Sequence, residues 1–337
     1  MSNVQKSEQM KVDQKMKEIT NDIKSRMSPT IPILRTPKTV QILLIRQTHD
    51  YTILRTEETR ELNIAVTPTS ISNPKQKARV VFLASKQKAP ETREFASLIK
   101  EYYRKHTLST EAQEPILNCE MKDKLCRACP RCTLFGAVVT DQTSTLWKKR
   151  WNIKHRIEYS SAFSLEPYDL ISENITFNAV TESTQLTEQA LGTTENVSPL
   201  TNFPSVISLN SPTWEELVLV IKNLLRCKSY GAEGKTKGDT LNYITGLILA
   251  NEEILTSLEY MLELVDQDKS QDILNSTHKI AEKYGKMAAS TEDLKILTPA
   301  ELELFVDYVQ KTPLTKKDIE KLFKDSLDFG KKIEAMA

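Results

Sequence analysis

Four of the chain's five cysteines fall between positions 119 and 132, at Cys119, Cys126, Cys129 and Cys132, in the pattern C-x6-C-x2-C-x2-C. No other feature restricts the fold so strongly. Two thiolates separated by two residues grip one ion from a tight turn. Four complete a closed tetrahedral shell, the usual form of a structural Zn2+ site. Lys122, Lys124, Arg127 and Arg131 place positive charge beside such a tetrathiolate. Three other readings stay open. One is an iron–sulfur cluster, although the bacterial ferredoxin run, with its fourth cysteine after x3, is absent. Another is replacement of one cysteine by His106, and the last is four metal-free thiols. A closed shell leaves no open coordination position, so the metal would order a small insertion rather than catalyse. Cys227, after Leu224 and Leu225, reads as a core residue.

Five cysteines in 337 residues do not make a disulfide scaffold. The length allows one large domain or two smaller ones, and 39% hydrophobic with 27% charged residues supports a packed core. Met1 to Lys11 is polar, with no apolar signal region. The apolar runs are short, as at 244–250, where Thr245 and Gly246 interrupt, against the ~20 residues a spanning helix needs. The expectation is a soluble, intracellular chain with no membrane partner.

The formal charge of +1 hides an asymmetry. Residues 1–160 carry 29 Lys and Arg against 17 Asp and Glu, and residues 161–337 carry 17 against 28. A basic half facing an acidic half hints at nucleic-acid contact by the basic part, or at two halves that attract each other.

Apolar periodicity predicts mixed strands and helices up to about residue 250, then helices, an α+β pattern. Residues 1–30 read as a polar arm, helical or disordered in isolation. Thr39 to Arg46 (TVQILLIR) is a buried strand, with Tyr51 to Thr56 as its hairpin partner. Residues 67–79 read as a mobile basic loop, Arg79 to Ser85 as a strand, and Glu91 to Lys105 as a helix. Strands are expected at 133–140 and 155–163. Two strand-like ends, 175–180 and 203–209, enclose a Ser/Thr/Asn/Glu-rich middle. No Lys or Arg occurs between Arg156 and Lys222, which suits a long projecting β-hairpin. Thr213 to Arg226 is a helix with a capping box from Thr213 to Glu216, and a second box runs from Thr298 to Glu301. Leu241 to Ala250 is a strand.

Two segments carry nucleic-acid chemistry. Residues 147–156 (WKKRWNIKHR) interleave five Lys and Arg with Trp147, Trp151 and His155; cations neutralise phosphates and indoles stack on bases. The alternative is a solvated edge with two core tryptophans. Residues 226–239 (RCKSYGAEGKTKGD) form a Gly-rich basic loop whose backbone can approach a phosphate. Gly234-Lys235-Thr236 echoes a P-loop, but the upstream glycine is missing. There is no HExxH, GxSxG or GxGxxG, and four histidines stand singly, so a conventional enzyme finds no support.

Taken together, CPRCTLFGAV, HRIEYSSAFSL, the long run from Asn202 to Asp239 and LNYITGLIL resemble the backbone subunit of type I-D CRISPR complexes, within the RAMP superfamily. The resemblance covers about Thr39 to Ala250. It implies a ferredoxin-like, RNA-recognition-type core over 39–250 with a zinc-binding insertion at 106–135 and a thumb-like β-hairpin at 173–210. A polar arm (1–38) precedes this core and a helical region (251–337) follows it. The implied function is a cytoplasmic, prokaryotic antiviral subunit that polymerises along the spacer of a CRISPR guide RNA and presents it for target DNA pairing. The implied partners are the guide, the target DNA, further copies in a helical filament, and the large and guide-capping subunits.

Ser229 to Gly238 corresponds to the loop that contacts RNA in related subunits. The expected RNA-contacting residues are Arg46, Trp147, Lys148, Lys149, Arg150, Trp151, Lys154, Arg156, Arg226, Lys228, Tyr230, Gly234, Lys235 and Lys237. The expected cofactor is structural Zn2+ on Cys119, Cys126, Cys129 and Cys132. Related subunits that cut their target use an aspartate after the first strand, where this chain has Asp50, so target-strand cleavage is the alternative. A zinc-stabilised RNA-binding protein of unrelated fold is a weaker third.

Overall fold

The computed structural model describes residues 3–55, 61–106, 108, 113–121, 124–139, 146–180, 187–231, 237–268 and 270–337. Its centre is β1 (Thr39–Thr48), apolar at both odd and even positions. Side chains alternate across a strand, so such a sequence needs a core on each face. Val40, Ile42 and Leu44 pack into the larger core with α2 (Ala84–Lys105) and α6 (Trp214–Arg226). Leu43 and Ile45 enter a second core with α7 (Ser257–Asp266) and α8 (Ile273–Gly285). Burying each of these side chains contributes about 1.5–3 kcal/mol.

The five-stranded sheet has the order β10-β9-β1-β8-β4, where β4 is Ile157–Tyr159, β8 Asn202–Asn210, β9 Thr240–Ala250 and β10 Lys295–Ile296. Every neighbouring pair is antiparallel. The chain order β1, α2, β4, β8, α6, β9 therefore makes two interleaved βαβ units, each helix joining strands that run the same way. Thr245 is an extra residue against β1, between the pairs Leu43–Gly246 and Leu44–Ile244. Its hydroxyl meets the Tyr260 hydroxyl at 2.8 Å, which meets that of Thr277 at 2.7 Å, so the bulge seats α7 and α8.

The expected partner strand at 51–56 does not form: residues 51–55 are a loop, and β1 takes sequence-distant partners on both edges. Thr56 lies outside the described residues. The expected loop at 67–79 is instead part of a ribbon of β2 (Ile64–Pro68) and β3 (Gln76–Phe82), with Lys75 and Lys77 facing solvent. β3 also pairs with β5 (Ala162–Phe163), after which the short helix α5 (Tyr168–Ile171) leads toward the next strand. Helix α2 starts at Ala84 rather than Glu91 and carries Pro90 inside it.

The projecting hairpin joins β6 (Ser172–Val180) to β7 (Thr187–Val197). Its return strand comes from the polar middle, while 203–209 belongs to β8 of the main sheet. The return strand is polar in sequence and carries no apolar alternation, which is why the pattern misplaced it. Of the strand expected at 133–140, residues 133–139 are not a strand: Pro130 opens the short helix α4 (Pro130–Phe135), and Ala137 bridges to Ile153; Thr140 lies outside the described residues. The N-terminal arm is α1 (Asn3–Ser25), anchored by Ile19 and Ile23. The capping boxes at Thr213–Glu216 and Thr298–Glu301 are both formed, the second starting α9 (Pro299–Lys311). Further boxes at Thr256–Glu259 and Thr315–Asp318 start α7 and α10 (Lys316–Met336).

Candidate metal centre and nucleic-acid interface

Cys119 follows the short helix α3 (Gln113–Leu117), and an isolated bridge between Glu120 and Lys124 turns the chain back toward Cys126. Arg127 adopts a left-handed φ of 55°, which costs about 1 kcal/mol for an ordinary residue. Cys129 caps α4, and Cys132 lies in its first turn. All four thiols are buried, with their sulfurs within 4.8 Å of one another. The separations are 3.5 Å for Cys119–Cys132, 3.8 Å for Cys119–Cys129 and 3.9 Å for Cys126–Cys132. A tetrahedron of sulfurs about 2.3 Å from a central ion has edges of about 3.8 Å. Backbone N–H groups of Cys126 and Ala128 donate to Cys119 and Cys126 sulfurs at 3.5 and 3.4 Å.

Hydrogen bonds from the neighbouring thiols, Cys126 first, hold the Cys119 thiol far below its ordinary range, while burial drives Cys126 and Cys129 upward. A divalent cation would supply the charge that lets buried thiols ionise together. The donor set fits one tetrahedral metal ion. Among the described residues this is the one group of three or more His, Cys, Asp or Glu placed to share an ion, and neither His106 nor Asp50 belongs to it. The Asp50 side chain accepts the Tyr51 amide at 2.8 Å.

The expected base-stacking tryptophans turn inward. Trp147 donates its indole N–H to the Cys126 carbonyl at 2.7 Å and fills the place a side chain at Gly330 would occupy. Trp151 packs edge-on against Trp147 at 5.2 Å and donates to Glu334 at 2.7 Å. Arg127 stacks over the Trp151 ring at 4.6 Å. Glu334 also accepts the Lys148 and Lys149 amides at 2.8 and 3.0 Å. The tryptophans thus clamp the cysteine loop to α10. An indole wants an apolar bed with one acceptor at its edge, and this seam provides both.

Arg156 is buried in a two-pronged pair with Glu216 at the start of α6, and its Nε donates to the Thr133 carbonyl at 3.1 Å. Arg46 is fully buried against Glu91 at 2.5 Å, so it is no surface contact as it stands. Burial alone disfavours its charge, and Glu91 together with Tyr230 and Tyr159 more than offsets this, holding the guanidinium ionised. Tyr230 is buried beside them. Of the expected contacts, Lys148, Lys149, Arg150, Lys154, Arg226, Lys228 and Lys237 are exposed, with Arg226 paired to Glu94 and Lys237 to Asp239. Gly234 and Lys235 lie outside the described residues.

The two basic segments meet α6 at opposite ends, about 20 Å apart. The structure gathers a different set at the C-terminal end of β1. Thr52 and Val197 exchange backbone bonds of 3.0 and 2.8 Å, fixing the root of the β6–β7 hairpin to the loop after β1. The His49 amide donates to the Asp239 carbonyl at 2.6 Å. Gly238, at φ 62°, sits where a Cβ would come within 2.6 Å of the Gly231 nitrogen, so the legs of the Gly-rich loop nearly touch. Exposed His49, Lys228, Lys237 and Tyr243 surround this junction. His49 and Tyr243 lie on separate strand ends with no motif between them, so sequence reading did not find them.

Fold and site together define an antiparallel α+β protein with a closed four-thiol centre and a hairpin rooted beside a basic Gly-rich loop. A family model described as Csc2 Crispr matches residues 12–329, and the chain belongs to that family. The crystal structure of Thermofilum pendens Csc2 matches with a TM-score of 0.64 at 18% identity over 90% of each chain, which makes the fold a shared one. A chain of a pre-nicking CRISPR RNA-guided surveillance complex matches at TM-score 0.46 and 11% identity, over 80% of this chain and 100% of that one. A chain of a second CRISPR RNA-guided surveillance complex matches at 0.48 and 10%, over 80% and 98%. No curated protein sequence matches this chain. Among the described residues, no helix is long and apolar enough to cross a membrane.

Proposed function

We propose that this chain is a guide-RNA-binding backbone subunit of a type I-D CRISPR interference complex, acting in the prokaryotic cytoplasm. The observation that carries the reading is the junction at the end of β1, in a chain of the Csc2 family. A projecting hairpin, the loop after β1 and a basic Gly-rich loop share one root there. The two interleaved βαβ units are read as the ferredoxin-like core that holds this junction. Copies stack along the spacer as a filament, beside the large and guide-capping subunits, and leave base edges free to pair with target DNA. Lys228 and Lys237 neutralise backbone phosphates, and the hairpin, without Lys or Arg, enters the strand by shape. The four cysteines hold structural Zn2+, with tetrathiolate chemistry that orders the 119–132 loop and takes no part in binding.

The test is to isolate the protein from its host at moderate salt and sequence the bound nucleic acid. RNAs of uniform length with a repeat-derived 5′ end support the reading; heterogeneous RNA, or none, overturns it. Affinity for single-stranded RNA should fall with salt at a slope of about −0.7 per phosphate contact.

A further inference from the structure

The side chain of Tyr230 ties the Gly-rich loop to the body of the protein. Its neck is narrow: the Tyr230 amide donates to the Gly238 carbonyl at 3.2 Å, and the Gly231 amide to the Lys237 carbonyl at 3.1 Å. Lys228 stands on one leg and Lys237 on the other. Between them Tyr230 turns inward and is 3% exposed. Its hydroxyl donates to Glu91 at 2.7 Å and accepts from Arg46 at 3.0 Å and from Asn242 at 2.9 Å. Its ring meets Phe82 edge-on at 5.6 Å. Burial, reinforced by the facing Glu91 carboxylate, keeps the hydroxyl protonated and therefore a donor.

Glu91 is the hub. One carboxylate oxygen takes Arg46 and Tyr230, and the other takes the Tyr159 hydroxyl at 2.6 Å. Arg46 also bonds Gln87 at 3.1 Å and Asn242 at 2.9 Å. Its second terminal nitrogen is buried without a hydrogen-bond partner among the described residues. A buried ion pair gains little over well-packed apolar residues, and one left incompletely satisfied gains less. Stability alone does not account for this pair. What it does supply is direction: α2, β1 and β9 converge on the hydroxyl at the loop's neck, and β4 joins them through Glu91.

We infer that Glu91 and Arg46 are positioning residues, which hold the Gly-rich loop through Tyr230 so that Lys228 and Lys237 face the RNA backbone. The inference rests on the proposed RNA-binding role of that loop. Tyr230→Phe removes the hydroxyl and keeps the ring on Phe82, so the chain should fold. Two measurements on the full chain test it: hydrogen exchange without RNA, and binding of a fluorescein-labelled oligouridylate. Exchange over 228–239 should quicken about tenfold while that in β1 and β9 stays unchanged, and affinity should fall about three- to tenfold at an unchanged salt slope.

Unchanged exchange overturns the inference. So does faster exchange with unchanged affinity. Lys228→Ala with Lys237→Ala separates the two levels. If this double variant weakens binding and Tyr230→Phe does not, only the tether fails. If neither weakens binding, the RNA role of the loop fails with it.

Discussion

Residues 147–156 and 226–239 look alike on paper, each a short run rich in Lys and Arg, yet the fold turns them in opposite directions. The first is drawn inward by its tryptophans. Trp147 and Trp151 become the seam between the cysteine loop and α10, and Arg156 becomes a strut to Glu216. The second has glycines where the first has indoles. Glycine offers no side chain to bury, and among the described residues Lys228 and Lys237 stay exposed while Cys227 and Tyr230 turn inward. Charge density does not say which way a basic segment faces. The aromatic residues between the charges do, because a large apolar surface gains more from burial than a lysine gains from position.

The contrast can be broken in order of effect. Cys129→Ser should be the most damaging change, lowering stability by more than about 4 kcal/mol and abolishing stoichiometric metal, read by thermal melting and metal analysis. Metal at full occupancy with an unchanged melting temperature would remove the structural centre. Trp147→Ala should cost about 3–5 kcal/mol in a denaturant titration, by emptying the space against Gly330. Weaker RNA binding at unchanged stability would restore the base-stacking role. Lys228→Ala with Lys237→Ala should do the opposite. Stability stays within about 0.5 kcal/mol, while the salt slope of RNA binding becomes shallower by about 0.7 per lost contact.

The smallest effect concerns pH. Partial burial raises the Glu334 carboxyl, but bonds from the Trp151 indole and the Lys148 and Lys149 amides more than reverse this, leaving it below its ordinary value. A depressed carboxyl stabilises the folded state above its ordinary value near 4.5 and loses that contribution as pH falls through its folded value. Glu334→Gln should therefore flatten acid unfolding of the 147–151 seam, followed by tryptophan fluorescence. An unchanged acid limb would show that the clamp does not depend on this charge.

Much of the frame was legible because it is written locally. The capping box at Thr213 needs only residues three apart, and β1 announces itself by an apolar run too continuous for a surface strand. The cysteine spacing was legible for the same reason, since a metal shell is assembled from one short stretch of chain. The hairpin's return strand was not legible. The sequence of β7 is polar and alternates with no apolar period, while the apolar β8 beyond it invited the wrong pairing. The short helix α4 was hidden by its length, six residues being too few to separate a helical period from a strand's.

The sequence by itself determined the identities that chemistry requires: four thiols at ligand spacing, glycines at a tight neck, caps at helix starts and an apolar strand with two faces to cover. Only the tertiary structure decided orientation. Whether a tryptophan meets a base or a carbonyl, and whether an arginine meets phosphate or Glu91, depends on what distant segments bring alongside. Partners such as Glu91, Glu216 and Glu334 lie tens or hundreds of residues from the groups they hold. Local propensity carries no information across that separation. The long-range packing of both cores sets it, and with it which charges stay in water.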